Sequence, residues 1–120
     1  MELERELMRG AGPLAVLKLL ESREMYGYEL VEAMTKKTEG LLSMGQSTLY
    51  PMLYNLEAKG LVAGRVDDTG ARPRKYYRLT TKGKKKLQTE GKKWEAMVTA
   101  MGHLGLSPQS ISPLLQGGVA

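Results

Sequence analysis

Apolar side chains recur at helical spacing through the first sixty residues, and then the period changes. Leu14, Val16, Leu17, Leu19 and Leu20, interrupted by Lys18, predict a mostly buried helix. Pro13 suits the first turn of that helix, where its missing N–H costs little. Residues 2–9 (ELERELMR) either form a short helix of their own or continue the first one across Gly10 to Pro13. Ser22 to Met25 reads as a polar break. Tyr26, Leu30, Val31 and Met34 then predict a second helix running to about Lys37, which Gly40 ends. Leu49, Met52, Leu53 and Leu56, at i, i+3, i+4 and i+7, predict a third helix from Gln46 to about Lys59, stopped by Gly60. Pro51 removes one backbone donor near its start and allows a kink.

Beyond Gly60 the pattern becomes extended. Leu61 to Val66 and Lys75 to Leu79 are rich in β-branched and aromatic residues and predict two strands. Between them DDTGARPR, with Gly70 and Pro73, makes a hairpin with a long basic tip. Thr80 or Thr81 caps a fourth helix, on which Leu87, Trp94, Val98 and Met101 follow one another. Gly83 and Gly91 weaken that helix, at about 1 kcal/mol each relative to Ala. After Gly102 the chain has no charge and little pattern, and a flexible tail is expected over 103–120, with Leu114 and Leu115 able to dock. Three helices, a two-stranded hairpin and a further helix are the element order of a winged helix-turn-helix: a mainly α fold with a small β-hairpin. The expected boundaries are residues 1–79 for that domain, 80–102 for the last helix and 103–120 for the tail.

Composition narrows the function. The 120 residues suit one small domain with an appendage. With no Cys and a single His (His103), thiolate chemistry, disulfides and paired-histidine metal sites are excluded. Neither a Ser/His/Asp arrangement nor a glycine-rich phosphate loop is present, so neither an enzyme nor a cofactor is expected. The start MELERELMRG is unlike a secretory signal, and no apolar run could span a bilayer, so a soluble cytoplasmic protein with no membrane partner is expected. The net charge of +5 is unevenly spread. Residues 1–60 carry 7 basic and 9 acidic side chains, whereas residues 61–95 carry 11 basic and 4 acidic ones, and residues 96–120 none. Cations concentrated on and after the hairpin favour a polyanionic partner.

Double-stranded DNA is the partner this arrangement suits. A helix fits the major groove, and the third helix offers Gln46, Ser47, Thr48, Asn55 and Lys59 opposite its apolar face. Gln46 and Asn55 can form paired hydrogen bonds with adenine, and Tyr50 and Tyr54 at the margins carry hydroxyls able to reach phosphates or bases. In the hairpin, Pro73 stiffens a loop from which Arg72, Arg74 and Lys75 splay outward toward the backbone or minor groove. Asp67 and Asp68 lower the local charge or cap the turn. The alternative is a winged-helix protein-interaction module without an operator, since the fold alone does not decide.

Three stretches then resemble one family: YGYEL at Tyr26 to Leu30, STLYPMLYNLEAKGL at Ser47 to Leu61, and GARPRKYYRLTTKG at Gly70 to Gly83. The chain resembles the PadR transcriptional regulators, in their short form with a single C-terminal helix, over roughly residues 5–101. It departs from them at Ala71, where glycine is usual, at Gly45-Gln46, where Ser-Pro is usual, and in the proline of GAGPLAVL. The resemblance implies a homodimer whose fourth helix packs on the partner, a repressor role, and release of DNA by a small aromatic or hydrophobic effector at the dimer interface. Leu87, Trp94, Met97, Val98 and Met101 are the residues expected at that interface, with Leu3, Leu7 and Met8 as a complementary stripe. Trp94 could stack on a planar ligand or simply be packed in the interface.

Overall fold

A computed structural model describes residues 2–106, with the backbone alone for residues 3 and 4. The expectations for residues 107–120, Leu114 and Leu115 included, and for the side chain of Leu3 lie outside the described residues. The elements are α1 (Glu2–Ser22), β1 (Met25–Tyr26), α2 (Gly27–Lys37), α3 (Gln46–Ala58), β2 (Val62–Asp67), β3 (Arg74–Leu79) and α4 (Thr81–His103). The strands form an antiparallel sheet in the order β1-β3-β2. The chain divides after Leu87 into two units. The first unit is therefore longer than the expected 1–79, because the first turns of α4 pack into it.

α1 is one continuous helix, so Pro13 lies in its interior and not in its first turn. The missing N–H leaves the Arg9 carbonyl without its helical donor, a defect that local propensity alone would not tolerate well. Packing compensates: Val16, Leu17, Leu19 and Leu20 are buried, and Gly12 brings the helix so close to α3 that a Cβ there would stand 2.7 Å from Met52 Cε.

α2 buries Leu30 and Met34, and the Glu29 carboxylate accepts the Tyr26 N–H at 3.1 Å, tying off the helix start. Its end is closed by Thr38, whose hydroxyl donates to the Met34 carbonyl at 2.6 Å and accepts the Leu42 N–H at 3.0 Å. α3 buries Leu49, Leu53 and Leu56 and ends at Gly60, whose φ of +75° admits few side chains. There the N–H of Leu61 donates to Leu56 and that of Gly60 to Glu57, both at 2.9 Å, which satisfies the last carbonyls of the helix.

The sequence-predicted polar break hides β1, whose Met25 and Tyr26 pair with Tyr77 and Tyr76 of β3. β2 and β3 pair in register from Val62↔Leu79 through Gly64↔Tyr77 to Val66↔Lys75. The alternation turns Tyr77, Leu79 and Val62 into the core and leaves Arg65, Arg74 and Arg78 exposed. Among the described residues no polar or charged side chain is buried.

One corner joins α3, β2 and α4. The Thr80 hydroxyl donates to the carbonyls of Gly60 (2.7 Å) and Leu61 (3.0 Å) and accepts the Gly83 N–H at 2.9 Å, so Thr80 is the cap of α4. Lys82 Nζ donates to the Lys59 carbonyl at 2.8 Å, at the electronegative end of α3. Gly83, expected only to weaken the helix, is required by contact: a Cβ there would collide with the Leu61 carbonyl oxygen. Leu87, one turn on, is buried in the same core.

Candidate nucleic-acid interface

The burial of Leu49, Leu53 and Leu56 decides which side of α3 faces outward. Gln46, Ser47, Thr48 and Asn55 are all exposed on it, together with Tyr54. The helix start has no side-chain cap: Gly45 stands at the N-cap in extended conformation, and its carbonyl accepts the N–H groups of Thr48 and Leu49. The N–H groups of Gln46 and Ser47 belong to the turn whose donors a helix cannot satisfy internally, at its electropositive end. Tyr50 departs from expectation. Its ring and hydroxyl fill the space that any side chain at Gly27 would need, so the phenol rests against the start of α2 while the residue stays 37% exposed.

Beside α3 stands the hairpin. At its tip Asp67 accepts the backbone N–H (3.0 Å) and hydroxyl (2.6 Å) of Thr69, closing the turn as one of the two expected roles required. Those two donors hold the Asp67 carboxyl below the usual carboxylate range. Arg72 and Arg74 are exposed, and Arg74 lies over the Tyr26 ring at 4.7 Å. The expectation that Lys75 splays outward with them is not met. Lys75 is exposed as they are, but its ammonium donates to Glu57 of α3 at 3.0 Å and lies 5.3 Å from the Tyr77 ring, because it shares a face of β3 with Tyr77 and Leu79. The bond to Glu57 raises its pKa, against the opposing effect of desolvation.

A second anchor lies on the opposite face of the sheet. Glu24 accepts from both Nε and Nη2 of Arg65, a two-pronged pairing that lowers the Glu24 carboxyl and raises the guanidinium. Arg65 stacks 4.8 Å over Tyr76, which meets Tyr26 edge-on at 5.4 Å, and Arg74 covers the far ring. Two β1-proximal residues, Glu24 and Tyr26, thus hold the hairpin to the body of the domain.

A model of the family described as Transcriptional regulator PadR-like matches residues 16–89. The chain belongs to the PadR-like family of transcriptional regulators. Similar to it is an uncharacterised protein of Lysinibacillus sphaericus, 33% identical over 92 residues that make up 74% of this chain and 83% of that one. A solved PadR-family regulator from Eggerthella lenta is 34% identical, with a TM-score of 0.76 over 86% of this chain and 88% of that one. The solved complex of Bacillus subtilis PadR with operator DNA superposes with a TM-score of 0.60 at 29% identity, covering 64% of this chain and 44% of that one. PadR-family members are transcriptional regulators, not enzymes. Their winged-helix fold is the one found here, with α3 in the place of the second helix of the helix-turn-helix and β2–β3 as the wing.

The later turns of α4, in the second unit, present Trp94, Met97, Val98 and Met101 on one face, with Trp94 50% and Met97 59% exposed. Leu87 does not belong with them. The sequence grouped it with that uncovered stripe, but at 7% exposure it packs in the core of its own chain. The residues that sequence reasoning missed are Glu24, Tyr26 and Glu57. Each pairs with a hairpin residue 18 or more positions away, which no local pattern signals. No helix among the described residues is long and apolar enough to cross a membrane.

Proposed function

We propose that this PadR-family protein is a cytoplasmic, sequence-specific regulator that binds duplex DNA as a homodimer. The observation that carries this reading is the juxtaposition of an exposed polar face on α3 with an exposed pair of arginines on an anchored wing. Gln46, Ser47, Thr48 and Asn55 read or position the major groove, and Arg72 and Arg74 supply the wing's contacts to the backbone or minor groove. Tyr50 and Lys75 are assigned to positioning, because their polar ends are turned to α2 and α3. The operator complex solved for the Bacillus subtilis relative supports a duplex as the partner.

Two α3 helices can address two half-sites about one helical turn apart only if a dimer holds them. The face formed by Trp94, Met97, Val98 and Met101 is the surface on which a second copy closes. Repression, lifted by a small aromatic or hydrophobic molecule that lodges beside Trp94, completes the proposal. The deciding experiment is selection of bound duplexes from a random pool, followed by titration at several salt concentrations. Affinity should fall steeply with salt, with a slope of log K against log salt of about −0.9 per phosphate contact. A slope near zero, or no enrichment of any sequence, would refute the reading. Fluorescence of Trp94 during titration with aromatic acids and hydrophobic dyes tests the effector.

A further inference from the structure

Glu57 is the one acidic side chain on α3, and it reaches both strands of the wing. One carboxylate oxygen accepts the Gly64 N–H of β2 at 3.3 Å, and the other accepts Lys75 Nζ of β3 at 3.0 Å. The arrangement needs a glycine at position 64. A Cβ there would collide with the Lys75 Cε and stand 3.1 Å from the Glu57 carboxylate. The lysine stem crosses β2 through that gap. A wing residue that the charge pattern marks as a phosphate ligand is thereby drawn back onto the DNA-reading helix.

We propose that Glu57 is a specificity-determining positioning residue, which clamps the wing to α3 and withholds the Lys75 charge from the DNA backbone. The inference rests on the duplex-binding reading above. Two consequences follow from the geometry. The clamp fixes the distance between base-reading side chains on α3 and the wing arginines, so both can be satisfied together only on a matching duplex. It also removes one cation per wing from the sequence-independent attraction that any duplex exerts. Free of Glu57, Lys75 would raise affinity for all DNA and so narrow the gap between right and wrong sites.

The test compares wild type, Glu57→Gln, Lys75→Met, Arg72→Ala and the exchanged pair Glu57→Lys with Lys75→Glu. Each is titrated against one duplex selected from the random pool and one scrambled duplex of the same length, across a salt series. Glu57→Gln keeps an acceptor for Gly64 but drops the charge. It should tighten binding to the scrambled duplex and steepen its salt slope by roughly 0.9 per wing. Lys75→Met should leave both slopes unchanged, whereas Arg72→Ala should make both shallower by roughly 0.9. The exchanged pair restores the charge pairing but not the Gly64 bond, since lysine has no acceptor, so it should recover the wild-type salt slope on the scrambled duplex. Both partners are only partly covered, at 40% and 32% side-chain exposure, so the variants should fold, and circular dichroism verifies it. If Lys75→Met loses slope as Arg72→Ala does, or Glu57→Gln leaves discrimination intact, the inference is overturned. If wild type ignores both duplexes, the proposed function itself fails first.

Discussion

Three glycines in helices of the first unit are expected to respond to the same substitution in three different ways, and the differences follow from what each would touch. A Cβ at Gly10, inside α1, would meet nothing within 4 Å. Alanine there should stabilise by up to about 1 kcal/mol, through helix propensity alone. At Gly12 a Cβ would stand 2.7 Å from the flexible end of Met52, so side-chain movement should cancel most of that gain. At Gly83 the first obstacle is the Leu61 carbonyl, with Leu79 Cδ1 at 2.8 Å behind it. Backbone must move, and the carbonyl concerned also accepts the Thr80 N–H and hydroxyl, at 3.1 and 3.0 Å. Overpacking of this kind costs about 1–3 kcal/mol, against a first-turn propensity gain below about 1. Gly83→Ala should therefore lose about 1–2 kcal/mol net. Guanidinium unfolding at fixed protein concentration measures all three, since any self-association would otherwise shift the midpoint. A Gly83→Ala variant as stable as wild type would show that α4 does not begin against the Leu61 backbone.

Leu30 is fully buried between α2 and the core, so Leu30→Ala should cost about 2–5 kcal/mol, whereas Leu41→Ser, at a side chain 86% exposed, should change stability little; thermal melts separate the two. Glu24 and Asp67 both titrate below their ordinary values in the folded chain, so the folded state binds these protons less readily than the unfolded one. Their contribution is present at neutral pH and is lost as pH falls through the ordinary carboxylate range and on through the lowered folded-state values. Glu24→Gln should flatten that acid limb of a stability–pH profile, and an unaltered limb would contradict the Arg65 pairing. Replacing Trp94 by Ala should weaken self-association roughly thirtyfold in sedimentation if this ring lies at the centre of the proposed interface. An unchanged dissociation constant would move the interface elsewhere.

Much of this fold is legible along the chain because its signals are local. The i, i+3, i+4, i+7 rows of α2 and α3, the glycine stop at Gly60 and the extended KYYRL run each report their own few residues. Where a local signal pointed the wrong way, tertiary contact had overruled it. Gly10, Gly12 and Pro13 left open whether α1 breaks or continues, and burial of Val16, Leu17, Leu19 and Leu20 with the close approach at Met52 carries one helix through them. β1 is two residues long, too short for any period, and exists because β3 offers it partners. Leu87 looked uncovered because its face continues that of Trp94, but the first turns of α4 lie against the core before the rest of the stripe begins.

The candidate site divides along the same line. Exposure of Gln46, Ser47, Thr48 and Asn55 follows from which side of α3 is apolar, and that is written in the sequence. The disposition of wing cations is not. Arg65, Arg72, Arg74 and Lys75 are equivalent as charges, but Glu24 binds the first, Tyr26 lies under the third and Glu57 binds the last. What separates them is strand alternation combined with the neighbour each face meets: Lys75 shares the core-facing side of β3 with Tyr77 and Leu79, while Arg74 shares the outer side with Tyr76. A count of basic residues therefore overstates what this wing can offer to a polyanion. The difference between charge counted and charge available is measurable as a salt slope, and it makes the acidic residues at positions 24 and 57 as informative about recognition as the arginines themselves.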